Sequence, residues 1–276
     1  MKTLYMADLD GTLLNGGDKL YPHVSNTINA LVERGLPFTL NTSRTPKSIS
    51  PVIADLKLKL PIILMNGSCI YDTTSGATTS LTAIDRTTAS MVVSICKSAG
   101  LNPFVFDYKD GDVSVSYTKL VTKPEKDFIE ARKNYYKEFK KSTDYSFGMH
   151  TPYIICVGSK LSLLGLKQRL SRIKNISCSL FINSGEDHCY LEIYSKASGK
   201  ANAAKRFMKE FGFTRLVAFG DNLNDIEMLQ IADIGVAVGN AFDEVKAVSN
   251  TVIGTCESGA VADFLTLEWA RNPEMY

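Results

Sequence analysis

Runs of apolar residues in this chain end repeatedly in short polar clusters. Thr3 to Asp8 is the first, a buried-strand pattern that stops at Asp8-Leu9-Asp10-Gly11-Thr12. Pro22 to Arg34 carries Ile28, Leu31 and Val32 at helical spacing, with Pro22 near the start and Gly35 as a stop. Leu36 to Thr42 is a second strand, ending in Asn41-Thr42-Ser43-Arg44, and Pro61 to Met65 is a third, ending in Asn66-Gly67. Strands alternating with helices predict a parallel sheet with helices on both faces.

The same grammar returns late in the chain. Ser198 to Phe211 is helical, and Arg215 to Phe219 is a strand that opens into the polar loop at Gly220-Asp221. Ile226 to Ile231 is helical, Ile234 to Val238 is a strand that turns at Gly239-Asn240, and Thr251 to Ile253 is a last short strand. Between the halves the texture changes. Val113 to Tyr117 alternates strictly, as a half-exposed antiparallel strand does. Phe104 to Phe106, Tyr153 to Val157, Leu180 to Ile182 and Tyr190 to Ile193 are further strands. Helical patterns lie at Thr88 to Ala99, Lys126 to Lys141 and Leu161 to Ile173. The expected fold class is α/β: a Rossmann-like core of residues 1–81 and 191–276, with residues 82–190 inserted as an α+β unit.

Composition narrows the partners. Lys and Arg number 31 against 29 Asp and Glu, a net charge of +2, which gives no electrostatic case for nucleic acid or an anionic membrane. The lysine-rich run Lys119 to Lys141 is interleaved with Glu125, Asp127, Glu130 and Glu138 and reads as a solvated helix face. The N-terminus carries no secretory pattern, and no apolar stretch approaches the ~20 residues of a membrane span. Six scattered cysteines without a C-x-x-C pair fit reduced thiols in a cytoplasmic protein. His23, His150 and His188 lack zinc-ligand spacing. No protein partner is implied.

Four polar clusters remain, at strand ends or a helix start, where open parallel sheets bind their ligands. Asp8 and Asp10 repel each other at two-residue spacing, so a hard cation such as magnesium is the natural way to keep Asp8 ionised. The same Asp-Gly sequence also makes ordinary turns. Thr42 and Ser43 offer hydroxyls and amides to an anion, or cap the helix that Pro46 begins. Lys200, near a helix start, gains nothing from the helix dipole and suits an anionic partner, or is a surface lysine. Gly220 to Asp225 packs two carboxylates and two amides into one strand-to-helix loop, as a capping turn also does.

Taken in order, Asp8-Leu9-Asp10-Gly11-Thr12-Leu13-Leu14, Thr42, Lys200 and Gly220-Asp221-x-x-Asn224-Asp225-x-x-Met228 resemble the four motifs of the haloacid dehalogenase (HAD) superfamily. More narrowly they resemble its Cof-type phosphatases, a likeness extended by Asn66-Gly67, Gly235 to Ala241 and Glu257 to Val261. It covers both halves of the core. The middle segment matches in length and position, leaving room for a large cap between Thr42 and Lys200. Ser43 stands where the family usually has Gly, and Ala201 where Gly is common.

The resemblance implies a Mg2+-dependent phosphoric monoester hydrolase acting on a small phosphorylated metabolite, by default a sugar phosphate. Asp8 would attack phosphorus to give an aspartyl-phosphate, while Asp10 protonates the leaving oxygen and then deprotonates the hydrolytic water. Magnesium would be held by Asp8, the Asp10 carbonyl and Asp221, with Asp225 supporting that set by hydrogen bonds. The Leu9 amide, Thr42, the Ser43 amide, Lys200 and Asn224 would meet the phosphate oxygens. The cap would close over the site, hinging near Ala83 to Thr87 and Tyr194 to Gly199. Arg44, beside the phosphate loop, is a substrate contact or an exposed structural residue. Two rival readings stay open: a hexose-phosphate mutase or phosphotransferase of the same superfamily, and a non-catalytic sensor of phosphorylated metabolites. A phosphorelay receiver is excluded, because it needs its acceptor Asp on a later strand and a far shorter chain.

Overall fold

The computed structural model describes residues 2–16, 19–145, 147–148, 150–182 and 189–271. His188 lies outside them. The chain opens with β1 (Thr3–Ala7), α1 (Pro22–Glu33), β2 (Phe38–Leu40), α2 (Pro46–Ile53), β3 (Ile62–Leu64), β4 (Cys69–Tyr71) and β5 (Thr78–Leu81). Next come α3 (Arg86–Ser98), β6 (Phe104–Lys109), β7 (Asp112–Tyr117), α4 (Lys123–Arg132), β8 (Glu138–Lys141), β9 (Tyr153–Gly158), α5 (Lys160–Leu170), β10 (Ile176–Ile182) and β11 (Cys189–Ser195). The last stretch is α6 (Lys200–Phe211), β12 (Arg215–Gly220), α7 (Ile226–Ile231), β13 (Ile234–Ala237), α8 (Asp243–Val248), β14 (Thr251–Val252) and α9 (Ala260–Arg271). They form two compact units. One comprises the described residues within Met1–Arg44, Ser48–Thr79 and Lys200–Tyr276, the other those within Thr45–Lys47 and Ser80–Gly199.

The first unit is α/β. Its main sheet runs β14-β13-β12-β1-β2, with every pairing parallel. All five residues of β1 are buried, which is why that strand reads as an unbroken apolar run rather than an alternation. Strand order reverses at β1: the chain leaves it toward β2, and on its return lays β12, β13 and β14 on the other side. That is the topological switch point of an open sheet, and the residues following β1 and β12 line it.

Pro61 to Met65, expected in the parallel sheet, meets it through the bridge Asn41–Ile63 and the Thr39 hydroxyl, which donates to the Pro61 carbonyl at 2.6 Å. Its strand β3 instead pairs antiparallel with β4 in a three-stranded sheet completed by β5. The short runs of β4 and β5 left too little alternation to be read from sequence.

The second unit has a six-stranded sheet, β10-β11-β9-β6-β7-β8, antiparallel except for β7 with β8. On one face α3 and α5 bury Val92, Cys96, Leu163 and Leu166 against Val105, Ile154 and Leu191. The other face carries aromatic contacts, with the Phe104 and Phe128 rings 4.6 Å apart and Phe106 and Tyr153 4.3 Å apart.

The helix expected over Lys126 to Lys141 is corrected at both ends. Thr122 and Glu125 form a reciprocal capping box, so α4 starts at Lys123 and ends at Arg132. Glu138 to Lys141 is an edge strand, whose lysines resemble a solvated helix face but here guard a sheet edge. Tyr136 decides the matter, packing edge-on against both Phe106 and Phe139. No helix among the described residues is long and apolar enough to cross a membrane.

Candidate active site

The peptide after β1 continues the ladder for one more bond, from the Asp8 amide to the Phe219 carbonyl (3.0 Å). This sets Asp8 beside the end of β12, near the start of the Gly220-Asp221 loop. Gly11 follows at φ 87°, and a side chain there would put its Cβ 2.2 Å from Asp221 Oδ2. Only glycine permits that approach, which lets Thr12 Oγ1 donate to Asp221 Oδ1 at 3.0 Å. Gly220 is required for a similar reason, since a Cβ would lie 2.5 Å from that of Asp225.

Asp8, Asp221 and Asp225 are buried, and each offers a carboxylate oxygen within 4.8 Å of the others. Lys200, buried at the first turn of α6, sends its Nζ to Asp8 Oδ1 and to Asp225 Oδ1, both at 2.6 Å. The remaining Asp225 oxygen accepts the amides of Asp221 and Asn222, each at 3.0 Å. Asp225 thereby accepts three hydrogen bonds and braces the loop.

Burial pushes Asp8 well above the usual carboxylate range; Lys200 works against the shift, and Asp225 and Asp221 add to it. Burial and then Asp225 push Asp221 up to about 7, opposed by the Thr12 hydrogen bond and by Lys200. Burial alone would lower Lys200, but Asp225 and Asp8 outweigh it and hold its ammonium above the normal range. Three carboxylates thus share one cation in a low-dielectric site, and ionising all of them leaves excess negative charge. A divalent ion on Asp8 and Asp221 would offset that excess. The Asp10 carbonyl, which accepts no hydrogen bond among the described residues, is a third oxygen of the right hardness.

Asp10 itself stands apart from this trio. Its half-exposed carboxylate takes Arg44 Nη2 on Oδ1 (2.8 Å) and Nε on Oδ2 (3.0 Å), while Arg44 Nη1 donates to the Ser48 carbonyl (3.0 Å). Of the two sequence readings for Arg44, the structure gives a third: a direct partner of the expected acid–base residue. Thr42 is buried, and its Oγ1 accepts the Arg44 amide at 3.3 Å, leaving the hydroxyl proton to give. The Leu9 and Ser43 amides donate to no group among the described residues, as free anion donors would.

Asn224 Nδ2 donates one of its two hydrogens to Asn66 Oδ1 (3.1 Å), which leaves the other to give, and its buried Oδ1 has no partner among the described residues. Asn66 belongs to the run Met65-Asn66-Gly67, all three at positive φ. Such a backbone persists only where its surroundings hold it; the Asn66 amide bonds the Thr42 carbonyl at 3.1 Å and the Met65 amide bonds that of Arg44 at 3.0 Å. The family resemblance included Thr12 and Asn66 in its motifs without showing what they bond.

A model of the haloacid dehalogenase-like hydrolases matches residues 5–265. The chain is 27% identical to the HMP-PP phosphatase of Serratia proteamaculans, over 99% of this chain and 97% of that protein. It is 26% identical to the pyridoxal phosphate phosphatase YbhA of Escherichia coli, over 94% and 95% of the two chains. A haloacid dehalogenase-like hydrolase from Bacteroides thetaiotaomicron shares the fold at a TM-score of 0.77 and 22% identity, over 97% of this chain and 100% of that one.

Proposed function

The chain belongs to the haloacid dehalogenase-like hydrolases, and from that premise we propose a magnesium-dependent phosphatase that cleaves small phosphate monoesters, such as sugar phosphates, through an aspartyl-phosphate on Asp8. The observation that carries this reading is the 2.6 Å contact between Lys200 Nζ and a buried Asp8, beside unused amides at Leu9 and Ser43.

In the first step an Asp8 oxygen bonds to phosphorus as the ester P–O bond breaks, and Asp10 gives its proton to the departing oxygen. In the second, Asp10 takes a proton from water as that water attacks phosphorus, releasing phosphate and restoring the Asp8 carboxylate. Lys200 neutralises Asp8 and draws on a phosphate oxygen, and the Leu9 and Ser43 amides with the Thr42 hydroxyl donate to the others. Magnesium, held by Asp8, Asp221 and the Asp10 carbonyl, would screen the repulsion between nucleophile and phosphate. We assign residues 82–190 the choice of leaving group.

The test is phosphate release from a panel of sugar phosphates and an aryl phosphate, with magnesium and with EDTA. Metal-dependent release that vanishes in Asp8→Asn is expected. Unchanged turnover in Asp8→Asn would remove the nucleophile assignment, and binding without turnover would favour a sensor.

A further inference from the structure

The turn after β13 has no place in the chemistry above, yet it grips both motifs that do. Its backbone is tied down at Gly239 to the Gly254 carbonyl (2.9 Å) and at Phe242 to the Asp221 carbonyl (3.0 Å). Between these anchors Asn240 Nδ2 donates to the Gly11 carbonyl (2.8 Å), and its Oδ1 accepts the Cys256 amide (2.8 Å). One end of the side chain meets an acceptor and the other a donor, so a single orientation of the amide satisfies both.

The carbonyl it holds belongs to the Gly11–Thr12 peptide. On one side of that peptide is Asp10, and on the other is Thr12, whose hydroxyl bonds Asp221. Gly11 is already pressed against the Asp221 carboxylate, with no room for a Cβ. We infer that Asn240 is a positioning residue, clamping the Asp10–Gly11–Thr12 turn in register with Asp221 so that the Asp10 carboxyl is presented to the leaving oxygen. The inference rests on the phosphatase reading. Because Asn240 is exposed, water can replace its bonds, and removing it costs register rather than the fold.

The leaving group supplies the test. An alkoxide needs Asp10's proton and a nitrophenolate does not, and kcat/KM reports the step that forms the phosphoenzyme. With Asn240→Ala, kcat/KM for an alkyl phosphate is expected to fall about tenfold, a fraction of what a general acid contributes, while that for p-nitrophenyl phosphate, which draws on the turn only through the Asp10 carbonyl, falls clearly less. Asn240→Asp keeps the acceptor for Cys256 but turns an oxygen toward the Gly11 carbonyl, and should show the same selective loss. Equal losses on both esters, or wild-type behaviour of Asn240→Asp, would overturn the inference. Hydrogen exchange gives a readout independent of turnover: the amides of Gly11, Leu13 and Leu14 should exchange faster in Asn240→Ala, with those of β1 unchanged. Unaltered exchange there also overturns it. Wild-type protein that cleaves neither ester counts against the phosphatase reading, whereas the exchange result judges the clamp.

Discussion

Arg44 grips Asp10 at two points, Nη2 on Oδ1 and Nε on Oδ2, and is itself anchored on the Ser48 carbonyl. The pair orients the one carboxylate of the site that lies outside the buried trio. Half-exposed ion pairs add little stability, so its worth is in geometry. Arg44→Ala should therefore lower kcat by roughly ten- to a hundredfold, as misplacing a catalytic group does, with the melting temperature nearly unchanged. Arg44→Lys should not restore the rate, since an ammonium cannot reproduce a two-point fork. Steady-state kinetics alongside thermal melts would check this, and a large fall in stability with normal kcat would refute it.

The Lys200 ammonium separates two buried carboxylates that would otherwise face each other. Lys200→Met leaves the buried Asp225 carboxylate without its cation and should cost about 3–5 kcal/mol in metal-free protein. Asp8→Asn should do the opposite. Asp8 is held well above the usual range, so the fold favours its neutral form, and an amide resembles that form. A gain of roughly 1 kcal/mol together with loss of turnover is expected, a trade common at strained sites. Urea unfolding in EDTA measures both. A destabilised Asp8→Asn would mean that the Lys200 pair outweighs the crowding.

Much of this was legible along the chain because it is local. An apolar run that halts at Asp8 or Gly220 states both the buried strand and the polar loop at its end. Parallel sheets then bring such ends together, so Asp8, Lys200, Asp221 and Asp225 meet although they come from distant segments. Partner choice was not legible. Nothing in spacing says that Arg44 bonds Asp10, that Asn224 gives its amide to Asn66, or that Asn240 reaches Gly11. Those bonds depend on rotamers and on where β12 and β13 lie relative to β1. The strand Glu138–Lys141 was misread because an exposed edge strand and a solvated helix carry the same charged residues.

All six cysteines are free. Burial pushes the Cys69 thiol up to about 11 and those of Cys178 and Cys256 to about 12. At pH 8 these three hold at most ~0.1% thiolate, and thiolate is the reactive form. Native protein treated with iodoacetamide at pH 8 should show little alkylation at them by mass spectrometry, and full alkylation after unfolding. Rapid modification of half-buried Cys178 in the native state would contradict its packing against the cluster that holds Cys96, Leu163 and Leu166.

In the proposed magnesium site Asp221 would link metal binding to pH. Its carboxyl is raised from an unfolded value of 3.8 to about 7, so the folded metal-free protein holds this proton more tightly than the unfolded chain. The resulting stability is fully present below pH 3.8, declines as pH rises from there, and is gone above pH 7. Magnesium needs the ionised carboxylate, so below pH 7 it competes with that proton and above pH 7 it does not. The rise in melting temperature on adding magnesium should therefore be clearly larger at pH 8 than at pH 6. In Asp221→Asn the rise should be small at both values, because the amide neither titrates nor brings the charge. A magnesium shift independent of pH in the wild type would place the ion away from Asp221.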